Sequence, residues 1–432
     1  MLDIQFIRDN PDFVTEKSAQ KGYQVDVRQL LELDGERKTR LTQIEELRRR
    51  RNEQANSLKA SRPSEEQIAN GKQLKEELAI LEADVTSIEE KFYPLLKAIP
   101  NMPLDNVPLG KTEDENVVSK QMGDKPAFNF TPKHHHELAE PKDLIDKERA
   151  AKIAGSRFAY LKGDLVLLQF AIIQFVMQTL GDESIIQMLI TKNNLSVSSK
   201  PFRPILPPAM LRTEPYIASA RLNAEEVTYK LDQDDLWLNA SAEHTLCTMY
   251  WNEVLPEDVF PIRYIGYSTS FRREAGTYGK DTEGIFRMHQ FDKLEMEVFS
   301  TPETGHDEHL LMVAIQEYLV QQIELPYQLL QKCTADIGKP NAVGVDIETW
   351  FPAQDAYRET HTADYMTDYQ ARDLKIRIKR NSGETELVHT NDATAFALGR
   401  IMAAIMENYQ TADGSITIPA VLRPYMGGRT SL

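Results

Sequence analysis

Seven apolar residues, Leu74, Leu78, Leu81, Val85, Ile88, Phe92 and Leu95, recur at alternating spacings of four and three. Only a helix gathers such positions onto one side, and a stripe this narrow has to be buried against another helix. Residues 64–98 are therefore expected to form a coiled-coil helix. A looser version of the pattern, Leu41, Ile44, Leu47, Ala55 and Leu58, runs through an earlier helix at about 28–60. Between them, Arg62-Pro63-Ser64-Glu65-Glu66 offers a proline to stop the first helix and a serine to cap the second. Two long helices joined by a short turn make an antiparallel hairpin, each arm about 45–50 Å long at a rise of about 1.5 Å per residue.

Charge is divided unequally along this hairpin. From Arg37 to Arg62 there are nine Lys/Arg against three Glu, a balance of +6. From Pro63 to Ala98 there are four Lys against eight Asp/Glu, a balance of −4. The run Arg48-Arg49-Arg50-Arg51 winds around the first helix, so some of these arginines face solvent. Such a surface is either a solvated coiled-coil face or an arm that grips nucleic-acid phosphates. The chain as a whole carries −16, which argues against indiscriminate coating of nucleic acid but leaves room for a local basic surface.

At 432 residues the chain is long enough for two or three domains. It has no run of 18 apolar residues, so no membrane partner is expected. Met1-Leu2-Asp3-Ile4 is not a basic-then-apolar leader, and only Cys247 and Cys333 are present, without a CxxC pair. A cytoplasmic protein without a disulfide framework or a cysteine-built zinc site is the expectation. Pro100, Pro103, Pro108, Pro126 and the acidic run Glu113-Asp114-Glu115 divide the chain into a helical domain at 1–103, a connector at 104–137 and a larger domain at 138–432. His134-His135-His136 cannot all converge on one metal from a regular element and reads as a solvent-facing or packing feature.

In the larger domain, Val166–Leu180, His309–Gln331 and Phe396–Asn408 read as helices, and Val259–Phe299 as strand-rich. Irregular loops between strands and helices point to an α+β fold with an antiparallel or mixed sheet. Neither GxGxxG nor GxxxxGK[ST] occurs, so Rossmann and P-loop nucleotide sites find no support. The most informative segment is 271–297. It opens with Phe271-Arg272-Arg273-Glu274, passes Gly276, Gly279 and Gly284, and closes on alternating Phe291, Lys293, Glu295 and Glu297. That is a strand, a long loop and a strand, with a permanent cation beside a carboxylate at the strand end, which suits an anionic phosphate ester.

This segment resembles motif 2 of class II aminoacyl-tRNA synthetases in its seryl form. Pro207-Pro208 is similar to the end of motif 1, and Leu238-Asn239-Ala240-Ser241-Ala242-Glu243 to the family's Thr-x-Glu serine element. His389-Thr390 through Leu398-Gly399-Arg400, with Ile405–Gln410 and Leu422–Met426, is similar to motif 3. The resemblance spans nearly the whole chain. It implies a catalytic domain built on an antiparallel sheet flanked by helices, with a coiled-coil arm that reaches the long variable arm of tRNA(Ser) through Arg48, Arg49, Arg50 and Arg51. It also implies a homodimer, with motif 1 at the interface.

By the same resemblance, Arg272 meets the ATP α-phosphate and Arg400 the adenine, whose other face Phe291 covers, while Glu274 accepts hydrogen bonds from the adenine side. These three polar residues form the implied catalytic set, and Arg273, Met288, Thr360 and His361 complete the ATP site. Glu359 is the implied ATP and Mg²⁺ ligand, and Thr362 stands where a metal-binding Ser is usual. The implied L-serine site comprises Ser241, Ala242, Glu243, Arg272, Glu295 and Thr394, with Glu295 receiving the hydroxyl. Ser241 stands for the usual Thr, Asn391-Asp392-Ala393-Thr394 for Leu-Asn-Gly-Ser, and Asp373 for an Arg. The implied reaction joins serine and ATP to seryl-adenylate, then passes serine to the tRNA 3′ end. Whether tRNA(Sec) is also served is left open. The alternatives are a synthetase-like paralogue that loads an amino acid onto a carrier protein, against which the hairpin and the missing zinc cysteines weigh, or one with a regulatory role.

Overall fold

The computed structural model describes residues 1–57, 64–222, 227–274 and 283–432. The chain divides into two compact units, Met1–Met102 and Pro103–Leu432. No single described helix is long and apolar enough to cross a membrane.

The first unit is helical and dominated by α1 (Val27–Ser57) and α2 (Glu65–Ala98). Ile44, Leu78 and Val85 are buried in their seam, with Leu41, Leu47 and Leu81 packed around them. The unequal charge becomes ion pairs between the helices, Arg37–Glu89 at 2.8 Å, Arg40–Asp84 at 3.5 Å and Arg48–Glu82 at 2.8 Å. Ser64 caps α2 through a capping box, accepting from Gln67 N while the Gln67 side chain accepts from Ser64 N. Leu58 and the expected stop at Arg62-Pro63 lie outside the described residues, as do Gly276 and Gly279.

The second unit is built on an eight-stranded sheet. Its strands are β1 (Val117–Met122), β2 (Arg203–Ile205), β3 (Ile262–Phe271), β4 (Gln290–Ser300), β5 (Tyr327–Gln331), β6 (Val343–Phe351), β7 (Ala356–Thr367) and β8 (His389–Ala397). The spatial order is β1-β5-β6-β7-β8-β4-β3-β2, antiparallel throughout except for the β2–β3 pair. Residues 104–137 thus supply more than a link, since β1 forms one edge of the sheet. The helix expected over His309–Gln331 is shorter. It spans Gly305–Gln322, and Tyr327–Gln331 is strand β5, because Pro326 ends the helical register and Tyr327 pairs with Thr349.

Alternation sorts the strands into two faces. Leu294, Met296 and Val298 of β4, Val345 and Ile347 of β6, Ala363 of β7 and Ala393 and Ala395 of β8 join the main apolar core. That core also takes in α3 (Asp164–Leu180), α4 (Gly305–Gln322) and α5 (Leu398–Asn408). The residues between them, Lys293, Glu295, Glu297, Asp364, Asp392 and Thr394, take the other face. The β4–β8 register sets Glu295 opposite Thr394 and Glu297 opposite Asp392.

One ion pair ties sheet to helix under complete burial. Arg263 of β3 donates Nε and Nη2 to the two oxygens of Glu308 on α4, both at 2.8 Å, and the side chains are 0% and 1% exposed. Burial pushes the Glu308 carboxyl up, opposed by these bonds from Arg263. Glu308→Ala leaves the guanidinium buried and unmatched, and is expected to cost about 3–5 kcal/mol in urea denaturation, with Glu308→Gln less damaging.

Candidate active site

A cleft of about 610 Å³ opens on the polar face of the sheet. Arg272, one residue past the end of β3, and Arg400, in the first turn of α5, both line it, joined by Glu274, Met288, Phe291, Lys293, Glu359, Thr360, Thr362 and Thr394. Arg272 donates Nε to the Ala240 carbonyl at 2.9 Å, and its guanidinium lies 5.3 Å from the Phe291 ring centre. That bond fixes the head of a side chain that otherwise has many rotamers. Arg400 pairs with Glu359 at 2.9 Å and also donates to the Glu359 carbonyl at 3.0 Å.

Phe286 adds an aromatic plate that the sequence reading passed over. The guanidinium carbons of Arg358 and Arg400 stand 4.4 Å and 5.0 Å from its ring centre. At these distances cation–π attraction holds Arg400 beside the cleft. Gly399 brings helix and loop together, since a Cβ there would come within 2.6 Å of the Ile285 carbonyl. Glu274 adopts a left-handed backbone with φ of 51° and accepts from Arg287 Nη1 at 2.9 Å. A non-glycine residue in that region costs of order 1 kcal/mol and is kept where the surroundings demand it.

Glu359 is 49% exposed toward the cleft. Desolvation works to raise its carboxyl, but Arg400, Lys332 and Arg272 outweigh it and bring it down to about 2. Thr362 also lines the cleft, with its hydroxyl buried, and pairs across the ladder with Asp346. Two oxygen side chains, one firmly anionic, fit the donor preference of a hard divalent ion. Among the described residues no group of three or more His, Cys, Asp or Glu is arranged to hold a metal by itself.

Next to the arginines the cleft meets a second cluster. Lys293 Nζ donates to Ser241 Oγ at 2.8 Å and stands 2.5 Å from Glu295 and 3.6 Å from Glu243. Burial pushes Glu295 well above the usual carboxylate range. Glu243 is also desolvated, but Lys293 and other nearby cations hold it well below that range. Lys293 was visible in the sequence only as one member of an alternating strand. Its position between an acid of its own strand, Glu295, and one of a short helix, Glu243, needed the fold.

One row further along the sheet lie Glu297, Asp392 and Asp364, aligned across β4, β8 and β7. Arg221 is hydrogen-bonded to Asp392. Burial raises Asp392 to about 7 and Glu297 well above its ordinary range.

Not every expected site residue reaches the cleft. His361 is 1% exposed, turned toward the core with its ring 5.1 Å from Phe396, and contacts the Thr360 hydroxyl through Nδ1 at 2.8 Å. Arg273 lies over the Tyr229 ring at 5.7 Å, and neither it nor Ala242, which is wholly buried, lines the cleft. Of the unusual motif residues, Asn391 bonds the Gly305 carbonyl and Ala393 joins the core, so Asp392 alone adds charge beside the site. Asp373 sits in the helix Tyr369–Leu374, outside the cleft lining. The histidine triplet packs: His135 is buried with Nδ1 at 3.1 Å from Glu407, and its Nε2 accepts from Ile285 N at 3.1 Å.

Residues 1–103 match the model of the seryl-tRNA synthetase N-terminal domain. Residues 227–409 match the class II tRNA synthetase core domain of the G, H, P, S and T type. The serine–tRNA ligase of Exiguobacterium sibiricum is 38% identical, over 99% of this chain and 99% of that protein. The Deinococcus radiodurans serine–tRNA ligase is 37% identical over 100% and 99%. Among solved structures, Pyrococcus horikoshii seryl-tRNA synthetase complexed with ATP superposes with a TM-score of 0.86 at 35% identity, covering 100% of this chain and 99% of that one. A cytoplasmic serine–tRNA ligase from Naegleria fowleri, in complex with AMP, gives 0.82 at 25% identity, covering 100% and 98%. Family models at both ends of the chain and relatives of matching length agree with the clefted antiparallel sheet, and the chain belongs to the seryl-tRNA synthetase family of class II aminoacyl-tRNA synthetases.

Proposed function

We propose that the chain acts as a serine–tRNA ligase, joining L-serine to ATP as seryl-adenylate and then passing serine to the 3′ end of tRNA(Ser). The observation that carries this reading is the adjacency of two binding regions. Arg272 and Arg400 line one cleft with Glu359 and Phe291, and Lys293 links that cleft to Ser241, Glu243 and Glu295. The relatives named serine–tRNA ligase and the ATP-bound structural neighbour point the same way.

In this reading Arg272 neutralises the α-phosphate while Arg400, Phe291 and Phe286 hold the adenine, and Met288 and Thr360 line the same space. Glu359 and Thr362 would hold Mg²⁺, which when bound would offset negative charge on the phosphates. Ser241, Glu243, Glu295 and Thr394 take the amino acid. The carboxylate of serine is already a nucleophile, so its oxygen bonds to the α-phosphorus as pyrophosphate leaves, and rate comes from orientation and charge stabilisation. A buried carboxyl kept for a hydroxyl discriminates against alanine by about 10⁴-fold, because it would be left unpaired. We place the enzyme in the cytoplasm, in keeping with its two buried free cysteines. A homodimer through motif 1 is supported by the exposed Leu206 and Met210 beside Pro207-Pro208.

The arm is assigned to the tRNA. Arg48, Arg49 and Arg50 are more than half exposed and their ion pairs, with Glu82, Glu46 and Glu53, lie at the surface. Exposed pairs are worth about 0–1 kcal/mol, so a phosphate can replace the carboxylates at small cost.

Serine-dependent exchange of labelled pyrophosphate into ATP tests the first step. Exchange with serine but not alanine is expected, and Arg400→Ala is expected to slow it by about 10²–10³-fold. Exchange with another amino acid and none with serine would refute the assignment. Replacing Arg48, Arg49, Arg50 and Arg51 together by Ala is expected to raise the KM for tRNA by about tenfold or more and to flatten its salt dependence, with exchange unchanged. An equal loss of both activities would count against an arm devoted to tRNA.

A further inference from the structure

The cradle assigned to serine already contains an ammonium, and it belongs to the protein. Lys293 is 6% exposed, and its Nζ contacts Ser241, Glu295 and Glu243, the groups that the serine reading gives to the substrate's ammonium and hydroxyl. Two ammonium ions cannot share one seat shielded from water, because like charges repel strongly where the medium does not screen them. Serine and Lys293 therefore compete for the same carboxylates.

Lys293 has somewhere to go. Its side chain also lines the ATP cleft beside Arg272, and a lysine head on a four-carbon stem can pivot where a planar guanidinium would stay bound. Glu243 and Glu295 sustain its charge against burial. Once serine's ammonium and hydroxyl take those two side chains, Lys293 requires another anion. Serine is a zwitterion, so the molecule that displaces the lysine brings a carboxylate with it, on the side facing Arg272.

We propose that Lys293 is an exchangeable counter-ion of the amino-acid pocket: it fills the ammonium seat while the site is empty, and serine displaces it onto the junction of serine carboxylate and α-phosphate, where it serves beside Arg272. The inference rests on the serine reading above. It makes Lys293 a specificity device as well, because only a ligand carrying both charges at the right separation can exchange with it.

Lys293→Met removes the competitor and the relocated cation together. Binding of labelled serine to the ATP-free enzyme, by equilibrium dialysis, is expected to tighten about tenfold, since the cost of displacement is gone. Adenylate formation at saturating serine and ATP is expected to slow about 100-fold. Lys293→Arg keeps the charge but grips both carboxylates with a planar fork, and is expected to weaken serine binding about tenfold. A lysine that merely neutralises buried acids predicts the opposite split, with serine binding lost in Lys293→Met and preserved in Lys293→Arg. That result, or an unchanged rate in Lys293→Met, overturns the proposal. If Lys293→Met does not fold, Lys293→Arg decides alone: wild-type serine affinity overturns the proposal and weakened affinity supports it. Absence of serine-dependent exchange in the unaltered enzyme would instead refute the serine reading itself.

Discussion

On β4 the side chains of Leu294, Met296 and Val298 are driven into the apolar core, and the pleat then leaves Lys293, Glu295 and Glu297 only the opposite face. Burial of each apolar side chain contributes about 1.5–3 kcal/mol, and the same alternation is repeated on β7 and β8. A slip of one residue would put three charged groups into the core and three apolar ones into the cleft. The charged groups on these strands are thus held in place from the far side of the sheet, by apolar contacts that lie outside the cleft.

The consequence is a concentration of charge that water cannot relieve. Asp364, Asp392 and Glu297 form one row across three strands, with Arg221 on the central member. Three neighbouring carboxyls and one guanidinium cannot all stay ionised in such a place, and the upward shifts of Asp392 and Glu297 express that conflict. The row nearer the cleft solves the same problem with Lys293, which leaves Glu243 ionised while Glu295 tends toward its neutral form.

Much of this was legible in the chain itself. The heptad seam announced the helical hairpin, and the Arg272/Glu274 pair with Arg400 announced one cleft from two distant segments. What escaped the sequence were facts of direction. His361 and Thr362 are adjacent, but the register of β7 sends the histidine toward the core and the threonine to the cleft. Lys293 and Phe286 looked like an ordinary strand cation and an ordinary apolar residue until the fold set them between charged partners. The helix read through Gln331 failed for a related reason. The apolar pattern over 327–331 fits strand as well as helix, and pairing with Val345–Thr349 decides it.

Gly399 acts through the side chain it lacks. With an Ile285 carbonyl where its side chain would stand, it lets backbone rest against backbone. The contact of the Arg400 head with the plate of Phe286 is thereby gauged by main-chain atoms, which do not change when side chains do. Substitutions at the plate can change its chemistry while helix and loop keep their spacing, so a rigid frame carries interchangeable jaws.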